Sequence, residues 1–509
     1  MEQNQQSRSF CLPEAVLDTV AEQLADLDVT LPDYCPDIEK ILKCTLTPKI
    51  SSKSLSGGQV QVDGFCVVNV LYVESTHKTV RCCEQSVNFT QSFALSKTPE
   101  EFAVLTRTKP EYVNCRALSP RRLVMHGAFS LYVRVLAKAK TELFAPEDDS
   151  LETLTRSVEL CDLRGFGQEQ FTVSEEVSVA DKPSVEATLL SDVSASVSID
   201  KAVSGKLMLS GELNLRLFYL SDVETGETSK LDYLIPFTQI IDCSGADEDT
   251  RNILNCEVMS YDVRLKNDML SDRPSLAVDC RLCVTVEAYE PKTEELVTDA
   301  YSTEYLSAPS FAQIRTLSDI SELDESGMEK LSVSVEDGGV SKILDLYADS
   351  VSLDTAPSEE GLTASGNINL CMLALDGEGF PIFVERSCPY RRVLGSPHDS
   401  NVLMFPKASA ANLSYRLADD NTAEIRCELR ITGGAAKQES LRTVSGVEVF
   451  TDKPIAREER ALTLYFAAEG ENLWDIAKSH NTRLSLLMRD NDADSITLDS
   501  ARMLLIPRL

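Results

Sequence analysis

The side chains that could support catalysis or bind a metal are few and poorly spaced. The chain has four histidines, and none stands at an HExxH or HxH spacing with another ligand, so the sequence favours no zinc site. Neither a GxxxxGK[ST] phosphate loop nor a GxSxG nucleophile elbow occurs. Acid pairs such as Glu175 and Glu176 are common among 81 acidic residues and indicate a solvated surface rather than a glycosidase pair. We therefore predict a protein that is not an enzyme and has no catalytic residue, cofactor or metal.

The cysteines also argue against a redox or metal site. Cys280 and Cys283 form a lone CxxC, but they lie in an alternating run in which they would point to opposite faces of a strand and cannot both chelate. The adjacent pair Cys82 and Cys83 is equally weak. The 15 cysteines are an odd number spread through strand-like runs, where Cys66 fits as a small hydrophobe. We expect reduced thiols in a cytoplasmic protein and no disulfide framework.

Composition limits the partners. The chain has 509 residues, 43% of them apolar, which is enough for three or four cores. Its formal charge of −32 repels nucleic acid and anionic membrane surfaces and suits a basic partner better. The first ten residues, MEQNQQSRSF, lack the features of a secretion signal, and no apolar run of about 18 residues occurs, so we expect no membrane insertion.

An internal repeat organises the elements that would position any site. Three strand-like runs begin with a glycine: GFCVVNVLYV at Gly64, GELNLRLFYL at Gly211 and GNINLCMLAL at Gly366. Each glycine follows an apolar position by 26 residues, namely Ile38, Val185 and Val340. Each copy also has a later alternating run, which predicts a strand with one dry face. Spacings of about 150 residues suit domains of ordinary size, so we predict three β-rich, sandwich-like domains arranged as beads along the chain.

A different pattern precedes the first copy. Val16, Leu17, Val20, Leu24 and Leu27 recur at helical spacing within AVLDTVAEQLADL. This spacing predicts an amphipathic helix within residues 1–30 that packs on the first domain.

The segment LPDYCPDIEKIL at 31–42, followed by GFCVVNVLYV, resembles the opening of the SPOCS domain, a module of spore-coat-associated proteins. The resemblance implies three tandem copies, at 31–165, 166–310 and 311–450. It is clearest in the first copy and weakest in the third. The family has no catalytic residues to carry over, so a structural role is implied.

Residues 462–509 resemble a LysM domain, a small module with the order βααβ. Gly470 is followed by Leu473-Trp474-Asp475-Ile476-Ala477, and the segment closes with Leu504-Leu505-Ile506-Pro507. The apolar residues after Gly470 recur at helical spacing and so share one face of a helix, and Ile506 of the closing strand covers that face. The predicted structural core consists of Leu473, Trp474, Ile476, Ala477, Leu487 and Ile506.

LysM domains bind N-acetylglucosamine polymers through two loops, and the resemblance places those loops at Gly470, Glu471, Asn472, Asn491 and Asp492. The common Gly-Asp-Thr is replaced by Gly470-Glu471-Asn472, and Asn491 is followed by acids. Loss of a threonine hydroxyl and the added carboxylates weaken a site for neutral sugar.

The combination resembles spore-coat morphogenesis proteins, in which the LysM module docks onto the ATPase of the coat basement layer, of the stage IV sporulation protein A type. The implied function is a scaffold in the mother-cell cytoplasm at the forespore surface, with other coat proteins as further partners. The alternative is a protein that holds peptidoglycan, or another N-acetylglucosamine polymer, through LysM. The sequence leaves open the role of each repeat, the strand order, the oligomeric state and the retention of glycan binding.

Overall fold

The computed structural model describes residues 8–146, 150–179, 181–266, 275–335, 339–359, 361–395, 400–419, 421–456 and 463–507. Strands dominate this part of the chain and form three successive units, repeats 1, 2 and 3, followed by a small α/β module. Each repeat has two antiparallel sheets. The meander sheet is built from consecutive strands, and the flanking sheet joins the first strand of the repeat to its last strands. The predicted class, a mainly β multidomain protein, is confirmed.

Repeat 1 shows the common plan. Its strands are β1 (Ser9–Leu24), β2 (Leu27–Thr30), β3 (Ile38–Ser56), β4 (Gln59–Glu74), β5 (Val80–Ala94), β6 (Phe102–Ser119) and β7 (Arg122–Glu142). The meander sheet has the order β3-β4-β5, and in the flanking sheet β7 pairs with β1, β2 and β6. The inner faces of both sheets contribute to one buried cluster that includes Val62 and Tyr72 from β4 and Phe129 from β7. The repeat is therefore a two-sheet sandwich.

Repeats 2 and 3 follow the same order. Repeat 2 consists of β8 (Leu151–Ser178), β9 (Ala187–Val203), β10 (Lys206–Asp222), β11 (Glu227–Asp242), β12 (Arg251–Lys266) and β13 (Ser275–Ser302). Repeat 3 consists of β14 (Tyr305–Ser334), β15 (Lys342–Val351), β16 (Asp354–Ser358), β17 (Gly361–Leu375), β18 (Pro381–Val393), β19 (Val402–Asp419) and β20 (Thr422–Pro454). Their meander sheets centre on β10 and β17, and their flanking sheets centre on β13 and β20.

The repeat glycine lies in the middle strand of each meander sheet, where a neighbouring strand approaches closely. In the register of the sheet, Gly64 faces Phe89 and Gly211 faces Phe237. A Cβ atom at either glycine would lie 2.5 Å from the facing phenylalanine ring. At Gly366 a Cβ atom would collide with the carbonyl oxygen of Ser352. The glycines recur at one register because the sheet leaves no room there for a side chain.

The predicted N-terminal helix is wrong, because residues 9–24 form β1. This strand pairs with β7 along its whole length, from Ser9 opposite Glu142 to Leu24 opposite Ala128. Leu17 packs against the core of repeat 1, whereas Val20 and Leu24 are 53% and 66% exposed. The apolar residues therefore do not form one buried stripe. Pairing with a long neighbouring strand overrides the helical spacing of a short local pattern.

The prediction of independent beads is also wrong, because the repeats share buried clusters. One of these, the axial cluster, contains Leu71, Phe218 and Leu373, each seven residues after its repeat glycine. Leu42, Leu189 and Leu344, which are also equivalent positions, pack in the same cluster. Since equivalent residues of all three repeats meet at one point, the repeats surround a common axis.

A second shared cluster joins the first strands of the three repeats. It includes Phe10 of β1, Leu160 of β8 and Ile314 of β14. Two predicted domain boundaries, after residues 165 and 310, fall inside β8 and β14. These long strands begin a repeat and also contribute to the shared cluster, which is why the chain has no clean junction at those points.

The last module has the order β21 (Thr463–Ala467), α1 (Leu473–Ser479), α2 (Leu484–Asp490) and β22 (Arg502–Ile506). The strands pair antiparallel, with Thr463 opposite Ile506. Its buried cluster includes all six residues that the sequence assigned to the core: Leu473, Trp474, Ile476, Ala477, Leu487 and Ile506. In the part of the chain that the structure describes, no helix is long and apolar enough to cross a membrane.

Candidate functional site

The two loops that the sequence singled out lie side by side on the last module. The loop before α1 and the loop after α2 are joined by backbone hydrogen bonds, from the amide of Gly470 to the carbonyl of Leu498 at 2.8 Å and from that of Leu473 to Ile496 at 2.7 Å. Residues 468–472 and 491–501 therefore form one continuous surface, called the loop edge below. Its exposed acids are Glu469, Asp492, Asp494 and Asp499.

Two of the predicted site residues hold the module together. Asn472 caps α1, because its side chain accepts a hydrogen bond from the amide of Trp474 at 2.8 Å. Asn491 follows the last residue of α2. Its side-chain amide pairs with the backbone of Leu505 as a neighbouring strand would: it accepts a hydrogen bond from the amide of Leu505 at 2.6 Å and donates one to the carbonyl of Leu505 at 2.7 Å. Both amides are engaged inside the module, so they position the loops rather than offer free groups to a ligand.

Glu471 is also held in place. Its carboxylate accepts hydrogen bonds from the amide of Ala468 at 3.0 Å and from the hydroxyl of Tyr465 at 3.2 Å. The carboxylate raises the pKa of Tyr465. Of the five predicted residues, Gly470 and Asp492 remain exposed, and a Cβ atom at Gly470 would meet nothing within 4 Å. A partner would therefore meet the backbone at Gly470, the side chain of Asp492 and the neighbouring acids.

Trp474, the only tryptophan of the chain, packs against repeat 2. Its indole nitrogen donates to Asp299 of β13 at 2.8 Å, and its ring meets that of Tyr301 edge to face with centroids 4.9 Å apart. Trp474 is 2% exposed. The tryptophan thus belongs both to the core of the module and to its contact with repeat 2.

Further bonds fix the module on repeat 2. The ammonium of Lys478 lies 2.6 Å from Asp299, and the hydroxyl of Tyr301 donates to the carbonyl of Thr482 at 2.6 Å. Burial raises the pKa of Asp299, but the hydrogen bonds from Lys478 and Trp474 outweigh it and leave the pKa below its usual value. Sequence reasoning missed Asp299 and Tyr301, because no spacing connects a strand of repeat 2 with a helix more than 170 positions later.

A large cavity of about 3530 Å³ lies between the three repeats. Its wall includes parts of β3, β9 and β15 from the meander sheets and of β6, β12 and β19 from the flanking sheets. These are edge strands of the sandwiches. By turning the open edges inward, the arrangement keeps unpaired backbone groups from pairing with another chain.

A different ion pair lies at each of the three interfaces between repeats. Repeats 1 and 3 meet at Lys43 and Glu385, with 2.5 Å between charged atoms. Repeats 2 and 3 meet at Asp345, whose carboxylate is fully buried between Lys230 at 2.9 Å and Arg216. Repeats 1 and 2 meet through Lys53 and Glu257 at 2.7 Å. The three repeats thus form a closed ring whose interfaces are not interchangeable.

The weak chemical motifs do not assemble a site. Cys280 belongs to the core of repeat 2, whereas Cys283 packs into the core of repeat 1, on the other side of β13. Within the described residues, no group of three or more histidine, cysteine or acidic side chains could hold a metal ion. His398 lies outside the described residues.

These features define a β-rich repeat protein that carries a small βααβ binding module. A family model for the SPOCS domain, described as "SipL, SPOCS domain", matches residues 37–118 and 184–266, and a LysM domain model matches residues 468–507. The chain therefore contains SPOCS domains followed by a LysM domain, as the sequence predicted. Both are non-catalytic binding domains and suggest a scaffold connected with spores. No curated protein and no solved structure matches the chain.

The two SPOCS matches cover β3 to β6 and β9 to β12. Repeat 3 lies outside both matches, although its sheets have the same strand order. One difference is visible in the structure. The hydroxyls of Tyr72 and Tyr219 donate to the carbonyls of Pro36 and Pro183, whereas Ala374 stands at the equivalent place in repeat 3.

Proposed function

We propose that this chain is a non-catalytic scaffold of spore-coat assembly, located in the mother-cell cytoplasm at the forespore surface. In this proposal the loop edge of the LysM module docks onto the coat basement-layer ATPase of the stage IV sporulation protein A type. The repeat ring is the rigid body from which the module is presented, and other coat proteins bind the outer faces of the ring.

The observation that carries the proposal is the contact between Trp474 and Asp299. A module joined only by a linker would sample many orientations and would lose entropy on binding. Here the module is fixed by hydrogen bonds and by an aromatic contact with Tyr301. Its loop edge has four exposed carboxylates. A preorganised, exposed acidic surface suits a basic surface on a protein partner.

The co-purification of the chain with the ATPase tests this role. Asp492→Lys combined with Asp494→Lys replaces two of the four exposed acids of the loop edge with cations, which cancels the charge of the other two without touching a buried residue. We expect this variant to lose the ATPase while its circular dichroism spectrum and melting temperature stay unchanged. Glu22→Lys combined with Glu448→Lys reverses two exposed acids of the repeats and serves as the control, which should still co-purify.

Glycan binding is the second candidate, supported by the LysM match itself and by the open space at Gly470. A pull-down on insoluble peptidoglycan separates the two functions. If the scaffold proposal is right, the chain stays in the supernatant of this pull-down and still captures the ATPase in the co-purification. Retention on peptidoglycan, together with no binding of the ATPase, would replace the proposal by the glycan function.

A further inference from the structure

One face of the β21–β22 sheet is apolar and exposed. Successive side chains of a strand point to opposite faces, and one set packs with the helices in the buried cluster of the module: Tyr465, Ala467, Leu504 and Ile506. The other set, called the sheet patch below, consists of Leu464, Phe466, Met503 and Leu505. Leu464 lies opposite Leu505, and Phe466 lies opposite Met503. Leu464, Phe466 and Met503 are 56%, 66% and 57% exposed, so the patch is open.

The fold of the chain does not account for this patch. An antiparallel sheet that covers a core with one face commonly presents polar side chains on its other face. Here all four outward side chains are apolar. The module contacts repeat 2 through Trp474, Lys478 and Thr482, which belong to α1 and the turn after it. An exposed apolar cluster of this kind is typical of a surface that binds a partner.

The charges beside the patch limit the kind of partner. The pair Phe466 and Met503 lies at the end of the sheet from which the loop edge extends. Glu469 stands just after β21 and Asp499 just before β22, and both are exposed. The surface is therefore apolar along the sheet and acidic at one end.

This combination favours a basic, amphipathic segment of another protein. A second copy of the chain would bring the same acids and the same formal charge of −32 against the patch. That charge also repels a membrane with anionic lipids. A protein segment with apolar side chains along one side and Lys or Arg at one end complements both parts of the surface.

The dimensions of the sheet suit a helix. Outward residues two positions apart on a strand are separated by about 7 Å, and residues four positions apart on a helix are separated by about 6 Å. Two strands side by side are about 10 Å wide, which is the width of a helix with its side chains. The row of Leu464 with Leu505 and the row of Phe466 with Met503 can therefore each meet one turn of a helix.

We propose that the sheet patch binds an amphipathic helix of the partner protein, which lies along β21 and β22 with its cationic end at Glu469 and Asp499. The inference rests on the proposed function, since it assigns this helix to the coat ATPase that docks on the loop edge. It adds an apolar contact to a docking surface that otherwise consists of charges and backbone. The apolar area supplies affinity, and the acids orient the helix.

The first test uses a model peptide and so does not depend on the ATPase. The probe is a labelled helical peptide of about 14 residues, built from Leu on one face and Lys on the other, and its counterpart has Glu in place of Lys. We expect the full chain to bind the Leu/Lys peptide and not the Leu/Glu peptide. Amide hydrogen exchange should slow in residues 463–467 and 502–506. Phe466→Ser combined with Met503→Ser should weaken the binding by about tenfold or more.

Repeat 2 offers a matched control. Met208 and Ile240 are also exposed and lie opposite each other in a sheet. Met208→Ser combined with Ile240→Ser should bind the Leu/Lys peptide as the parent chain does. Equal affinities of the two double variants, or slowed exchange only outside β21 and β22, would overturn the inference. Circular dichroism and the melting temperature confirm that both variants are folded.

The second test is co-purification with the ATPase, and it separates this inference from the proposed function. The parent chain and the repeat 2 control should capture the ATPase, whereas Phe466→Ser combined with Met503→Ser should lose most of it. If all three chains capture it equally, the inference is wrong and the proposed function stands. If the parent chain captures none, the proposed function is wrong, and the assignment of the helix to the ATPase is wrong with it.

Two other occupants are tested with the same variants. Sedimentation of the parent chain with vesicles of anionic phospholipid, lost in Phe466→Ser combined with Met503→Ser, would mean that the patch enters a membrane. A parent dimer that becomes a monomer in this double variant would mean that the patch binds a second copy. Either result would overturn the inference.

Discussion

The indole nitrogen of Trp474 lies 2.8 Å from a carboxylate oxygen of Asp299, and this bond connects the LysM module with repeat 2. The same carboxylate binds Lys478. One acidic side chain therefore pairs with two donors from α1. A substitution of this side chain tests the contact between the module and the ring without changing the core of either.

The first prediction concerns this contact. Asp299→Asn removes the charge that Trp474 and Lys478 share and should weaken the docking by about 1.5 to 3 kcal/mol, the range for hydrogen bonds to a charged group. Because Trp474 is the only tryptophan, its fluorescence emission reports the docking directly. We expect a shift to longer wavelength, while Asp499→Asn on the loop edge leaves the emission unchanged. An unchanged spectrum in Asp299→Asn would show that this bond does not hold the module.

The second prediction concerns acid. The pKa of Asp299 lies below its usual value in the folded chain, so the stabilisation is complete at neutral pH and is lost only as the pH falls through that lowered pKa. The emission of Trp474 should stay constant down to about pH 4, the usual range for a carboxyl group, and change below it. In Asp299→Asn this step should be missing. A parent transition centred near neutral pH would contradict the assignment.

The third prediction concerns Glu287 of β13, which is 2% exposed and accepts a hydrogen bond from Tyr289 at 2.7 Å. Burial raises its pKa to about 7. Between the usual carboxyl pKa and about 7 the folded chain keeps a proton that the unfolded chain has lost, so stability falls as the pH rises. Glu287→Gln should remove this loss, so between pH 4 and pH 8 its free energy of unfolding should rise by roughly 3 kcal/mol relative to that of the parent chain.

Urea unfolding at the two pH values measures that change, with Glu448→Gln as the exposed control. The parent and Glu287→Gln should differ little at pH 4 and strongly at pH 8. Parallel pH profiles for the two chains would mean that Glu287 is not protonated in the folded state.

The fourth prediction concerns closure of the ring. The carboxylate of Asp345 is fully buried, whereas its partners Arg216 and Lys230 are partly exposed. Asp345→Asn removes the counterion that the two cations share and should cost about 1.5 to 3 kcal/mol, the range for hydrogen bonds to a charged group. Asp354→Asn, an exposed change on β16, should cost less than about 0.5 kcal/mol. If the ring unfolds as one unit, the parent chain and Asp345→Asn each show a single urea transition for the three repeats. Separate transitions for the three repeats would restore the bead arrangement.

The sequence predicted the parts of the fold that depend on local pattern. The glycine register identified one strand in each repeat, and the structure places that strand in the middle of the meander sheet, where Gly64 and Gly211 face rings that exclude a side chain. The helical spacing of Val16 to Leu24 misled, since the pairing of β1 with β7 involves residues more than 100 positions away. The contacts of Asp345 with Arg216 and of Trp474 with Asp299 were equally out of reach, because they depend on how the repeats pack.

The loop edge shows the same division. The position of the loop edge followed from the LysM pattern, but the hydrogen-bonding roles of its residues did not. Asn472 and Asn491 have the residue type of ligand-binding side chains, yet Asn472 satisfies a backbone amide at the start of α1 and Asn491 satisfies the backbone amide of Leu505 in β22. Glu469 and Asp494, which were not among the predicted site residues, are exposed on the same loop edge as Asp492.

The proposed function requires that the LysM module bring this chain to the forespore through the coat ATPase. Truncation after Arg460 removes the module and should leave the three repeats folded, as judged by circular dichroism. In sporulating cells a fluorescent fusion of the truncated chain should spread through the mother-cell cytoplasm and fail to co-purify with the ATPase, whereas the full chain encircles the forespore. A truncated chain that still encircles the forespore and binds the ATPase would place docking in the repeats and contradict the account.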